Sequence, residues 1–222
     1  MIIVKIWTIQ TIPVFRELEA KGVYRPDPLV VMAERICADD LTPEEDPFYQ
    51  SYLWIADQME TRIPPRPDLG PSYPKDIKAM PIWAWQQWNG LKEPKPDLRS
   101  TGHLMKGQKA VRIELELDPS RVLSSDFDLW FFPFDGIYLG KNLTEDKQFE
   151  KDRKAAGYED SAHNINLPED LKARLHKSWE KVFDLNFYRP GYNCGRKDKI
   201  IQATFWEIRQ EDVRKVTHFT AR

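Results

Sequence analysis

Polar and apolar positions alternate most cleanly over residues 109–118, where Val111, Ile113, Leu115 and Leu117 interleave with Arg112, Glu114, Glu116 and Asp118. Successive side chains of a strand point to opposite faces, so this spacing predicts a strand with one core face and one polar face. Residues 2–9, IIVKIWTI, are apolar on both faces and rich in β-branched residues, which suits a strand buried near the middle of a sheet. Residues 200–208, IIQATFWEI, read the same way. Residues 82–88, IWAWQQW, make a further strand in which Trp83 and Trp85 share one face and Trp88 turns to the other. A last strand is expected over Val213 to Phe219.

Helical spacing takes over elsewhere. Thr11 as N-cap, Pro13 in the first turn, Val14, Phe15 and Leu18 on one face and Gly22 as a stop describe a short helix. Asp46 and Pro47 open a stronger one, because Phe48, Tyr52, Ile55 and Met59 recur at steps of four, three and four, and it should end near Ile63. Thr144, followed by Glu145 and Asp146, is expected to cap a polar helix that Gly157 closes. Asn166 and Pro168 open a longer helix striped by Leu171, Leu175, Trp179 and Val182. Between Pro64 and Pro81 six prolines and one glycine remove donors and fix φ repeatedly, which predicts a surface loop of extended character. The sum is one α+β domain over residues 1–222. Its mixed, mostly antiparallel central sheet is built from 2–9, 82–88, 109–118 and 200–208, with helices on the outer faces.

Composition narrows the function classes. At 222 residues, with 41% hydrophobic, 12% aromatic and 31% charged positions, the chain can bury a sizeable single core. A net charge of −2 argues against a broad basic surface for coating nucleic acid. The densest basic stretch, Arg189 to Lys199, reads first as a solvated loop. Cys37 and Cys194 are too few for a disulfide framework, which fits a reducing cytoplasm. No run approaches the length of apolar sequence that spans a bilayer, so no membrane partner is expected. The four histidines and two cysteines show no metal-binding spacing, and phosphate-loop, dinucleotide and serine-hydrolase fingerprints are absent from the sequence.

The remaining chemistry concentrates in two regions. Trp83, Trp85 and Trp88 are followed within 20 residues by Asp97, Arg99, Ser100 and Thr101. Indoles stack on bases or sugars and a guanidinium holds phosphate with paired hydrogen bonds, so this mixture suits a nucleotide pocket. The structural alternative makes the tryptophans core and pairs Arg99 with Asp97 or Asp126. Asp126 and Asp128 are two carboxylates that could divide acid and base roles, or could start a helix with Ser125 as N-cap and Asp128 completing a capping box. Gln202 and Glu207 lie on the late strand, on opposite faces by alternation. Of the two, Glu207 is the better catalytic acid by residue type, since burial beside Trp206 and Ile208 would raise its pKa.

The runs Lys5–Gln10, Pro81–Trp85, Pro96–Ser100, Ser125–Trp130 and Gln202–Glu207 together resemble an uncharacterised bacterial family of unknown function, over nearly the whole chain. In order of elements the chain also resembles ADP-ribosyltransferase-like folds, with Trp7 to Gly22 as the opening and Ser100-Thr101 as the middle polar position. Gln202 or Glu207 takes the place of the final catalytic residue, although Gln202 is an amide where that fold carries a carboxylate. This second resemblance implies NAD as cofactor and a transferase activity. The competing expectation is a non-catalytic binding module for nucleic acid or a protein partner. An open aromatic surface beside the basic 189–199 loop would favour that module.

Overall fold

The structure is a computed structural model. It describes residues 2–39, 46–63, 65–74, 77–158 and 167–222, with side chains for all of these except 34–39 and 47. Asn166, expected to help open a helix, and His163 lie outside the described residues.

The chain folds as one α+β domain around a six-stranded sheet. In chain order the elements of this sheet are β1 (Val4–Thr11), β3 (Ile82–Gln87), β4 (Lys109–Leu117), β5 (Leu123–Asp126), β6 (Ile201–Phe205) and β8 (Val213–Thr220). They lie in the order β5-β6-β3-β1-β4-β8, and every pairing is antiparallel, so the sheet is not mixed. The long run at 200–208 is interrupted at Trp206 and Glu207. The two residues that follow, β7 (Ile208–Arg209), leave the main sheet and pair with β2 (Val23–Tyr24) in a separate ribbon.

Register explains the two faces. Val4, Ile6 and Thr8 of β1 sit opposite Leu117, Leu115 and Ile113 of β4. On this face α1 (Ile12–Lys21) lays Phe15 and Leu18 against Ile6, Ile82, Ile113 and Phe205. Ile6, Leu18, Ile113 and Leu115 are completely buried, each worth about 1.5–3 kcal/mol relative to exposure. Gly22 ends α1 at φ 72°, and its N–H returns to the Leu18 carbonyl at 2.8 Å.

The second face carries Trp7, Trp85 and Gln202 across β1, β3 and β6. Part of it is covered by the helices: α2 (Pro28–Asp39), α3 (Pro47–Arg62), α4 (Phe131–Phe134), α5 (Leu143–Ala155) and α6 (Glu169–Trp179). Trp54, Met59, Trp130, Phe149, Leu175 and Trp179 form the centre of this helical core. Asp46 caps α3 by accepting from Phe48 N at 2.9 Å, with Pro47 at the first helical position, as the sequence predicts. The cap of α5 is Asn142 rather than Thr144: its Oδ1 accepts from both Thr144 N and Glu145 N at 3.0 Å, so the helix begins earlier.

The basic stretch is not a solvated loop throughout. Arg196 and Lys197 are exposed, but Arg189 is buried, pairs with Asp146 and donates to the Gly140 carbonyl at 2.9 Å. Lys199 is fully buried against Asp126.

Candidate functional site

The helices leave the middle of the second sheet face open, and a cleft of about 530 Å³ lies there. Its walls include Trp83, Trp85, Trp88, His103, Phe127 and Gln202. The β3–β6 register places Trp85 directly beside Gln202. A register shift between Trp85 and Gln87 breaks the alternation of β3, and this corrects the expected direction of Trp88. Instead of facing away, Trp88 packs edge-on against Trp85 with ring centroids 4.6 Å apart. Phe127 closes the other side of Trp85 at 5.2 Å, and His103 lies over Trp88 at 5.1 Å.

Polar groups at the rim have defined partners. His103 Nε2 is 2.8 Å from the Asp97 carbonyl oxygen, which can only accept, so this nitrogen carries a proton. Asn89 Nδ2 donates to Glu93 Oε2 at 2.8 Å. The Gln202 amide has no hydrogen-bond partner among the described residues and faces the cleft beside Trp85. It therefore offers one donor pair and one acceptor beside an indole. The turn at Gly90, φ 66°, packs against the Lys197 and Asp198 backbone, and Leu91 N donates to the Lys197 carbonyl at 2.9 Å. The exposed Arg196 and Lys197 thus belong to the turn that abuts the Asn89 end of the cleft.

Trp83, Trp85 and Gln202 are the predicted site residues that the fold brings together. Trp83 also reaches into the helical core, edge-on to Trp130 at 5.0 Å, and its Nε1 is buried with no hydrogen-bond partner. Arg99 is exposed and holds Asp97 with a forked pair of contacts, Nε to Oδ1 at 3.0 Å and Nη2 to Oδ2 at 2.8 Å. The side chain and backbone of Arg99 keep the Asp97 carboxyl down at about 2. Neither Arg99 nor Ser100 lines the cleft, whereas the neighbouring Thr101 does.

Asp126 serves the interior. Besides Lys199 it accepts from Asn193 Nδ2 at 2.9 Å, and its Oδ1 caps the short turn at Phe127–Leu129 through Asp128 N at 3.2 Å. Ser125, expected in that capping role, accepts instead from Trp130 Nε1 at 2.9 Å. Burial and then the neighbouring Asp126 push the Asp128 carboxyl above its ordinary value.

Glu207 stands in a different pocket, between Arg25 and Arg209. Burial raises its pKa, as the sequence suggests, but hydrogen bonds from Arg209 and Arg25 outweigh burial and hold the carboxyl below its ordinary value. It is an ion-paired carboxylate, not a protonated acid poised in an apolar site. Arg25, Arg209, His103 and Phe127 were not legible as site residues, and Trp88 was legible as an aromatic candidate but not in its direction. The two-residue ribbon β2–β7 and the β3 bulge that bring them into place have no periodic signature.

Among the described residues no helix is long and apolar enough to cross a membrane. No curated protein and no solved structure matches the chain significantly. A family model described as a domain of unknown function, DUF3841, matches residues 5–214, nearly the full length, and the chain therefore belongs to that family.

Proposed function

We propose that this domain binds a nucleotide by its base, in the cleft between Trp85, Trp88 and Phe127. The observation that carries the reading is the free Gln202 amide beside the exposed edge of three aromatic rings. A base stacks on such rings irrespective of its identity, and a side-chain amide pairs with the donor and acceptor edge of a base. The walls contain no carboxylate or guanidinium, so recognition rests on the base and not on its phosphates. This differs from a site organised around Arg99, whose guanidinium is engaged by Asp97. It also separates the ligand from Glu207, the residue that would have to share the cleft in an NAD-cleaving transferase. Binding is accordingly the whole of the proposal.

The test is a calorimetric titration of AMP, NAD and uridine nucleotides into the wild type, followed by Trp85→Ala and Gln202→Ala. Stacking on one ring contributes about 1–3 kcal/mol, so Trp85→Ala should weaken binding roughly 5-fold to 150-fold. Gln202→Ala should reduce the difference in affinity between bases more than the mean affinity. No saturable heat with any of these nucleotides would end the proposal.

A further inference from the structure

On another part of the surface, Arg25, Arg121, Arg209, Glu207 and Trp206 line a pocket of about 330 Å³, with Pro65 and Pro67 on its apolar side. The pocket exists because β6 stops at Phe205. The chain turns through Trp206 and Glu207 and then pairs as Ile208–Arg209 with Val23–Tyr24, which brings Arg25 and Arg209 to the same carboxylate, Glu207. One carboxylate organises both. Glu207 Oε2 accepts from Arg25 Nε at 2.7 Å, and Oε1 accepts from Arg209 Nε at 2.6 Å. Arg121 is held by Asp212, with Nη1 to Oδ1 at 2.9 Å and Nη2 to Oδ2 at 2.8 Å.

Charge and hydrogen bonding are both left incomplete. Three guanidiniums share two partly buried carboxylates, Glu207 and Asp212; Glu211 reaches Arg209 only at 3.6 Å and is solvated, so it is heavily screened. Arg25 Nη1, Arg209 Nη2 and Arg121 Nε have no hydrogen-bond acceptor among the described residues. Trp206 is 6% exposed, and its Nε1 is buried without a partner. The Arg66 guanidinium lies over the Trp206 ring at 5.6 Å, and its Nε is likewise buried and unpartnered. Guanidinium donors left without a protein acceptor around a positively charged recess are the arrangement that an anion completes in place of water.

We infer that this pocket is a second ligand site, which takes the phosphate group of a small phosphomonoester. A phosphate dianion fits better than a carboxylate, because it offers three terminal oxygens to three guanidiniums and sets more negative charge against their surplus. Pro65, Pro67 and Trp206 then face the organic part of the ligand. Glu207 acts as a positioning residue that fixes Arg25 and Arg209 side by side against their mutual repulsion.

The inference does not rest on base binding, and its test uses probes without a ring to stack. Inorganic phosphate and glycerol 2-phosphate are titrated calorimetrically into the full chain, with acetate and glycerol as comparisons. Saturable binding of both phosphates is expected, with neither acetate nor glycerol binding comparably. Arg25 and Arg209 are about half exposed, so Arg25→Gln and Arg209→Gln should keep the melting temperature. Each should weaken phosphate about 10-fold or more through loss of a charge-assisted contact. Lys197→Gln, remote from this pocket, should leave affinity unchanged. Affinity should also fall between about pH 7.5 and about pH 5, as the phosphate takes up its second proton. Absence of saturable heat at millimolar phosphate, equal binding of acetate, or equal weakening by Lys197→Gln would each overturn the site.

Discussion

Replacing Asp126 by alanine should strip the interior of the anion that neutralises Lys199. The ammonium is 1% exposed and the carboxylate is fully buried, so neither charge can turn to water when the other is lost. After Asp126→Ala, Lys199 Nζ and Asn193 Nδ2 each retain only the Phe187 carbonyl at 3.0 Å, while Asp128 N loses its acceptor. Removing one partner of a buried ion pair costs about 3–5 kcal/mol. For a chain of this length about 1 kcal/mol moves the melting temperature by roughly 2–4 °C, so a drop of roughly 6–20 °C is expected. Lys199→Met should fall in the same range. The double variant Asp126→Leu, Lys199→Met removes both charges, and a buried pair replaced by apolar groups of similar volume is often neutral or better. It should therefore melt well above either single variant, in strongly non-additive fashion. Calorimetric melting at neutral pH, with urea denaturation as a second measure, reads all three. A drop of less than about 2 °C for Asp126→Ala, or simple addition in the double variant, would refute the reasoning. It would also return Asp126 to the candidates for ligand contact.

Two further outcomes test the loops around the cleft. Asp97, held at about 2, has a folded pKa below its unfolded value. Its contribution is therefore present above the ordinary carboxylate range and lost as pH falls toward that value. Arg99→Ala should move the Asp97 titration, followed by carboxyl NMR, upward toward the ordinary value. The melting temperature should hardly change, because Arg99 is 77% exposed; a large loss of stability would make Arg99 a structural residue. Gly90→Ala places a methyl 3.0 Å from the Lys197 carbonyl oxygen at φ +66°. It should lower stability by about 1–2 kcal/mol and weaken base binding through Asn89, measured by melting and by the nucleotide titration; an unaltered protein would show that the turn yields freely.

Residues 109–118 were legible because one face of that strand is core and the other is wet, and period-two alternation records this difference directly. The same physics revealed α3, whose apolar stripe and Asp46-Pro47 start are both local features. Strand order, in contrast, depends on which edges meet after collapse. The antiparallel pairing of β3 with both β1 and β6 leaves no mark within any one segment. The helix α2 starts at Asp27-Pro28, where Leu29 N donates to Asp27 Oδ1 at 2.9 Å, a local signal of the same kind that the sequence reading passed over.

The sequence by itself determined the α+β class, the central position of Val4–Thr11, and an aromatic strand within 82–88. Each follows from residue type and period within one element, where side-chain direction is set by the local backbone. Tertiary structure alone decided which of those side chains share a cavity. A one-residue bulge swung Trp88 onto Trp85, a two-residue ribbon carried Arg25 to Glu207, and a buried lysine 73 residues along the chain claimed Asp126. Charged and aromatic groups act through space. Their partners depend on long-range packing that no local pattern encodes.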